Sequence, residues 1–401
     1  MMQLVYCHIC LYKCWFLFFQ RTLYKFRPHK IPEQIKMKIK YISIYKYSIP
    51  MVPFTIATGT MHFAQNILIK IFTDEGITGL GECSAFPMIV GENQNSCYTL
   101  AKDFALLWKY KDPLDIECRM QELHQHITGN YTIKSAFDMA LYDIAAQYQQ
   151  VPLYAFLGGK NKTIESDLTI GIDTPEAMAE TAFKFAQKGV RCIKVKLGKT
   201  KMDDIERIKQ IRNAIGNAIT LRIDANQGWS PADASSILHA LAPYHIEFCE
   251  QPMAKYNDDF LPALCAGSPI PIMADESVFT QHDAERIIRT KSCHSINIKF
   301  SKSGGILEAK AIHQTAAAHS IPCMMGGMLE SRLALTAMVH FAIAHNNIHF
   351  YDIDTCLLGH LEDPVLGGVT YNGLQLTATE APGIGATVDE SYLNALESTT
   401  I

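Results

Sequence analysis

Apolar positions along this chain keep two different rhythms. Over residues 38–71 they alternate with polar ones; KIKYISIYKY and NILIKIFT place Ile, Tyr and Val at period two, which predicts strands. DEGITGLGE supplies a glycine-bearing turn into a further strand. Residues 99–123 and 133–149 change to helical spacing, and in SAFDMALYDIAAQY the apolar Phe137, Leu141 and Ile144 recur on one face. Strands followed by helices, with no βαβ alternation, predict an α+β domain that ends at the Gly-Gly break of LYAFLGGK.

From Leu168 the rhythm changes. Short apolar runs recur at LTIGI, CIKVKL, ITLRID, IEFCE, PIMAD, SINIKF, IPCMMGG and IHFYDID. Helical patterns such as TPEAMAETAFKFAQKG and DDIERIKQIRNAIG separate them. Eight such runs predict a β/α barrel. An open doubly wound sheet needs a glycine-rich phosphate turn after its first strand, and LTIGIDTPEA has none. After Leu358 the chain becomes glycine-rich and loses the rhythm, as expected of a tail that packs back on the first domain. The expected boundaries are 37–160 for the α+β domain, 161–358 for the barrel and 359–401 for the returning segment.

Residues 1–36 do not match the rest of the chain. They are crowded with Cys, Tyr, Phe and Leu, lack a basic leading segment, and are interrupted by Lys13. Cys7, Cys10 and Cys14 have no suitably spaced fourth ligand for a tetrahedral metal site. We expect Met37 to be the true start, because MKIKYISIYKYSI opens cleanly as a strand.

Composition narrows the function. Of 401 residues, 48% are hydrophobic and 19% charged, which describes a globular chain. The net charge of −4 gives no reason to expect a nucleic acid or an anionic membrane as partner. The 12 cysteines are scattered, and Cys192, Cys249 and Cys323 fall inside apolar runs, so they read as reduced core thiols of a cytoplasmic protein.

Three acids carry the chemistry. Asp224, Glu250 and Asp275 end three consecutive apolar runs, 26 and then 25 residues apart. A strand plus a helix takes about that much chain, so the three converge at the C-terminal mouth of a barrel, as hard-oxygen ligands for a divalent cation such as Mg²⁺. Lys194 and Lys196 lie on the second strand, Lys299 on the sixth, and Asp352 and Asp354 end the eighth. Strands 2 and 6 face each other across the mouth. A carboxylate substrate held on the metal therefore meets a lysine on each face of its α-carbon. One base removes the proton and the other returns it from the far side, which inverts the centre. Removing an α-proton beside a carboxylate creates an enediolate, whose charge a divalent cation and an ammonium stabilise. The base must be a neutral amine; burial, Lys194 and the cation all push the pKa of Lys196 down from about 10.4. Alone, an Asp after a strand is more often a helix N-cap, a KxK a solvated strand face and an Asp-x-Asp a turn. Glu82 and Glu330 read the same way. Three acids on successive strands flanked by lysines are not explained so.

With CIKVKLG, RIDANQGW, EQP, ADES, NIKFSKSGG and SAFDMALYDIAAQ, the chain from Met37 onward resembles the enolase superfamily, muconate cycloisomerase subgroup. YDID resembles the strand-8 motif of its dipeptide epimerases. The resemblance implies an α/β fold, a (β/α)7β TIM-like barrel with an α+β capping domain made of the N-terminal region plus the C-terminal tail. It implies an isomerase with one Mg²⁺ per subunit on Asp224, Glu250 and Asp275, and Lys196 and Lys299 as acid/base pair. Lys194 then contacts the substrate carboxylate, Asp352 and Asp354 hold the dipeptide α-ammonium, and Thr169 and Gly327 are further contacts. The seventh run carries no His, which disfavours the subgroup with a His base.

Members acting on Ala-Glu carry an arginine in an N-terminal loop. The matching stretch here, PFTIATGTMHFAQN, has Gly59 near that place and no cation there. The expectation is a broad epimerase of L-Ala-L-Xaa dipeptides with uncharged or apolar Xaa, Phe54, Ile56 and Met61 lining that side. The alternatives are an L-Ala-D/L-Glu epimerase, a muconate cycloisomerase or o-succinylbenzoate synthase, a Schiff-base barrel aldolase, and an inactive dipeptide-binding protein. The partners expected are a small-molecule dipeptide and further copies of the chain, without nucleic acid or membrane.

Overall fold

The alternation over residues 38–71 forms one long hairpin, Ile39–Ile56 antiparallel to Gly59–Thr73, in the computed structural model, which describes residues 37–401. The preceding segment, with Cys7, Cys10, Cys14 and the proposed start at Met37, lies outside the described residues or at their edge. Thr78–Ser84 extends the sheet on one side and the C-terminal Ser398–Thr400 on the other. Pairing within the hairpin slips between Pro50 and Phe54, where Pro50 and Pro53 cannot donate to the ladder. The stretch expected as a loop is thus the bulged tip of a hairpin. It reaches the barrel: Ile172 N–H donates to Thr55 O at 2.8 Å and Lys199 Nζ to Ala57 O at 2.9 Å.

The stretch 99–123 is not one helix. Gln94–Trp108 and Ile116–His126 are separated by a linker holding Pro113, and Asn93 and Asp115 cap the two starts. Tyr131–Tyr148 is buried over almost its whole length against Thr78–Ser84. Gly79 and Gly81 permit that approach; a Cβ on Gly81 would lie 1.9 Å from Ala136 O.

Eight parallel strands follow in chain order: Leu168–Ile170, Cys192–Lys196, Thr220–Asp224, Ile246–Glu250, Ile272–Ala274, Ser295–Ile298, Cys323–Gly326 and Ile348–Asp352. Eight α-helices lie between them, from Pro175–Gln187 to Arg332–Ala344, with both Phe300–Ser303 and Ile306–Ala318 between the sixth and seventh strands. Thr174, Thr200, Ser230, Thr280 and Ser331 cap five of these through their side chains. The first and eighth strands are joined by single bonds rather than a ladder: Asp167 N–H to Tyr351 O at 3.1 Å and Ile353 N–H to Ser166 Oγ at 2.8 Å. Phe248, Met273 and Met324 fill the barrel interior with Phe350 packed on them, while Ile193, Val195, Leu221 and Ile223 face the helices in the larger core.

Buried acids join the α+β layer to the barrel. Glu82 accepts from Ser331 N–H (2.7 Å), Ser331 Oγ (2.6 Å) and Ala334 N–H (3.2 Å), capping the helix Arg332–Ala344 from outside its own chain segment. Asp138 accepts the first two N–H groups of Ile306–Ala318, approaching so closely that a Cβ on Gly305 would meet its carboxylate at 2.2 Å. Glu330 takes Ser301 Oγ at 2.9 Å. Among the described residues no helix is long and apolar enough to cross a membrane, and their nine cysteines are free thiols.

Candidate active site

The end of each barrel strand decides what enters the mouth. Asp224 and Glu250 close the third and fourth strands and pair in register; Asp275 follows the fifth. All three are fully buried. Lys196, at the end of the second strand, pairs with Asp224 and donates to its Oδ2 at 2.6 Å. Lys299, after the sixth, donates to Asp275 Oδ2 at 2.8 Å and lies 3.7 Å from Glu250 Oε1. The two lysines therefore approach the acids from strands four places apart in a ring of eight. Lys194 is fully buried beneath, 2.6 Å from Glu250 Oε2, 2.6 Å from Asp352 Oδ2 and 3.3 Å from Asp224 Oδ2.

The loops that aim the acids are strained. Asn226, Gln227 and Gln251 have φ of 39°, 67° and 31°, although none is glycine. The strain turns Asn226 N–H onto Asp224 Oδ1 at 2.8 Å, and Gln251 Oε1 onto the N–H groups of Asp275 (2.9 Å) and Ser277 (3.2 Å). Asn297 Nδ2 donates to Glu250 Oε1 at 2.8 Å, and a Cβ on Gly326 would meet that amide at 2.5 Å. Lys302, one turn beyond Lys299, sends its Nζ back to Asp275 Oδ1 (2.7 Å) and Asn297 O (2.9 Å). RIDANQGW, EQP and NIKFSKSGG contain Asn226, Gln251, Asn297 and Lys302, but no role was read for these residues; the three-residue spacing of the two lysines in KFSKS is the signal that could have shown Lys302.

The charges around these groups do not balance. Asp167, Asp224, Glu250, Asp275, Glu276, Asp352 and Asp354 are buried in or beside the mouth, against Lys194, Lys196, Arg222, Lys299 and Lys302. Seven carboxyls meet five cations, so they cannot all be ionised and paired in this low-dielectric interior. Burial alone raises a carboxyl, yet Lys196 and Lys194 hold Asp224 below its ordinary range, and Lys299 and Lys302 hold Asp275 well below. Burial and Asp224 push Glu250 up to about 7; burial and Asp275 push Glu276 up to about 8. Lys299 is held charged by Asp275 and Glu250 in spite of its burial.

A divalent cation fits this set. Among the described residues, both oxygens of Glu276, Asn226 Oδ1 and Asn297 Oδ1 are buried beside the trio without a hydrogen-bond partner, and Glu250 Oε2 has only the unaligned Lys194 contact. These all-oxygen donors suit a hard ion such as Mg²⁺. Taking up the acids' charge is also what frees a lysine to lose its proton.

The opposite wall is a second acid group. Asp167, Asp352 and Asp354 are buried, with carboxyl oxygens within 4.8 Å of one another. Lys194 donates to Asp352, Thr169 N–H donates to Asp354 Oδ2 at 2.7 Å, and Gly327 N–H donates to Asp352 O at 2.8 Å. Burial is outweighed at Asp352 by Lys194 and Lys196, which bring it to about 2; burial and Asp352 push Asp354 up to about 7. A small cavity opens on Lys196, Thr169, Gly327, Asp352 and Asp354, with Met51, Phe54, Met328, Leu329 and Leu358 as its apolar side. Ile56 and Met61 do not line it; both are buried in the core of the hairpin. A wider groove between the helix Pro175–Gln187 and residues 372–375 shares Phe54, Thr169 and Leu358 with it but holds neither acid group nor any of the lysines at the mouth.

Comparison with known proteins points the same way. Residues 40–158 match the family model described as mandelate racemase/muconate lactonizing enzyme, N-terminal domain, and residues 177–392 match enolase C-terminal domain-like. The D-Ala-D/L-Ala epimerase of Cytophaga hutchinsonii is 42% identical over 369 residues, 91% of this chain and 100% of that protein. A dipeptide epimerase from that organism, solved with Mg and the dipeptide D-Ala-L-Val, superposes with a TM-score of 0.89 at 42% identity, covering 91% of this chain and 100% of its own. A dipeptide epimerase from Enterococcus faecalis, solved with Mg and L-Leu-L-Tyr, gives 0.85 at 36% identity, covering 87% and 99%.

Proposed function

The chain belongs to the enolase superfamily and to its dipeptide epimerases, and from that premise we propose that it inverts the α-carbon of the C-terminal residue of L-Ala-L-Xaa dipeptides. The observation that carries the proposal is the approach of Lys196 and Lys299 to one buried acid trio from opposite strands of the ring. Asp224, Glu250 and Asp275 are assigned to one Mg²⁺, which supplies positive charge to the substrate carboxylate as its neighbouring α-proton becomes acidic. One lysine takes that proton as the neutral amine, and the other, still an ammonium, delivers one to the opposite face. The carbanionic centre need live only as long as the second transfer takes. Lys194 bridges the metal acids and the far wall, and is assigned to the substrate carboxylate. Asp352 and Asp354 take the α-ammonium, with Thr169 and Gly327 fixing those two aspartates through their own N–H groups.

The apolar side of the cavity supports a broad choice of uncharged or apolar Xaa. Met51, Phe54, Met328, Leu329 and Leu358 offer no partner to a second carboxylate, whose burial there would cost several kcal/mol unpaired. The dipeptides bound in two solved relatives, D-Ala-L-Val and L-Leu-L-Tyr, have uncharged second residues. The test is loss of the second residue's α-proton signal in deuterated water across a dipeptide panel, with and without Mg²⁺. Exchange of Ala-Ala, Ala-Leu and Ala-Phe that stops on chelation is expected. No exchange, or an Ala-Glu preference above about tenfold, a difference of 1.4 kcal/mol, overturns the reading.

A further inference from the structure

We propose that Asp167 sets the charge of the amine-binding wall, so that a free α-ammonium completes it and an acylated or missing amine does not; this rests on the dipeptide reading above. Asp167 stands just before the first barrel strand, and its N–H donates to Tyr351 O, which brings it beside the end of the eighth. Its carboxyl group joins those of Asp352 and Asp354 within 4.8 Å. One oxygen accepts from Arg222 Nη1 at 2.8 Å; the other, Oδ1, is buried with no hydrogen-bond partner among the described residues. Arg222 is fixed in turn, with Phe248 and Phe350 each 5.2 Å from its guanidinium and its Nε on Glu247 at 2.7 Å.

The cations of this wall are shared. Lys194 bridges Asp352 and Glu250, and Arg222 bridges Asp167 and Glu247, whereas Asp354 receives a backbone N–H and, among the described residues, no cation within ion-pair distance. Burial and Asp352 push both Asp167 and Asp354 up, so an entering ammonium favours the ionised form of the acid that has no cation. A substrate whose amine is acylated or absent leaves that acid without a partner in a buried site, which costs far more than a lost contact in water. Asp167 does not line the cavity, so it acts through Asp352 and Asp354 as a positioning residue.

The experiment compares L-Ala-L-Ala with propionyl-L-Ala, the same molecule without its amine, by α-proton exchange in deuterated water with Mg²⁺. For Asp167→Asn the preference for the free amine falls about tenfold, through KM of Ala-Ala rather than kcat. The double variant Asp167→Asn/Arg222→Gln removes one negative and one positive charge together, and it restores the preference to within about threefold of the wild type. Should Asp167→Asn not fold, Asp167→Ser, which leaves room for water beside Arg222, carries the same expectation. An unchanged preference in the single variant, or a double variant as unselective as the single, overturns the inference and leaves Asp167 as a strut. A wild type that exchanges neither compound overturns the dipeptide reading itself.

Discussion

The two walls of this pocket both crowd buried acids together, yet they are built from different cations. On the metal side, Asp224 and Asp275 are held ionised by ammonium groups, Lys196, Lys299 and Lys302. On the amine side, burial and Asp352 push Asp167 and Asp354 up, although Asp167 accepts from a guanidinium locked between two rings and Asp354 from a backbone N–H. Ammonium groups on flexible stems can exchange protons and move; a clamped guanidinium cannot lose its proton at all. The difference assigns reaction to one wall and recognition to the other, and substitutions should separate kcat from KM accordingly.

The largest effect is expected at Asp275, which is assigned to the metal and accepts from Lys299 and Lys302. Asp275→Asn should lower kcat by roughly 10³-fold or more, since it removes a charge that stabilises the reacting centre, and calorimetry should show weakened Mg²⁺ binding. On the amine wall, Asp352→Asn should raise KM for Ala-Ala by roughly 10- to 100-fold with a smaller change in kcat, the range of a hydrogen bond to a charged group. A kcat loss at Asp352 as large as that at Asp275 would erase the distinction between the walls.

Acidity sharpens it further. Glu250 and Glu276 have folded pKa values of about 7 and about 8, above the ordinary 4.5. The folded, metal-free protein thus holds more protons than the unfolded chain between those values. Its stability falls as pH rises through that window, and Mg²⁺ must displace the protons at the acid end of it. The rise in Tm on adding Mg²⁺ should therefore be larger at pH 8 than at pH 5.5, by differential scanning fluorimetry; an equal or smaller rise at pH 8 contradicts the assignment. The smallest effect is on specificity. Phe54→Arg places a cation on the apolar side of the cavity and should shift the kcat/KM ratio of Ala-Glu over Ala-Leu upward by about tenfold, the worth of one charge-assisted contact.

The positions of the acids assigned to the metal were legible because they sit where a regular repeat ends. Asp224, Glu250 and Asp275 each close a strand, and the strand–helix period places such residues at one mouth. Lys196, Lys299, Asp352 and Asp354 were legible for the same reason. What holds them in place was not. Arg222 lies in the middle of a strand, where a lone arginine reads as a solvated face; only closure of the barrel puts it between Phe248 and Phe350 and against Asp167. Asn226, Gln227 and Gln251 adopt left-handed backbone without the glycine that would have announced it. In the α+β layer, Pro113 splits a stretch whose apolar spacing read as continuous helix, and Pro50 and Pro53 hide a strand that runs on to Ile56. Local pattern reaches elements and their ends; contacts between distant strands come only with the fold.

The most direct measurement follows deuterium into L-Ala-L-Xaa and L-Ala-D-Xaa separately, with Lys196→Ala and Lys299→Ala. Each variant should lose epimerisation yet still exchange the α-proton of one diastereomer, and the two variants should choose opposite ones. Exchange of the same diastereomer by both, or inversion surviving in either, would contradict a mechanism with one lysine on each face.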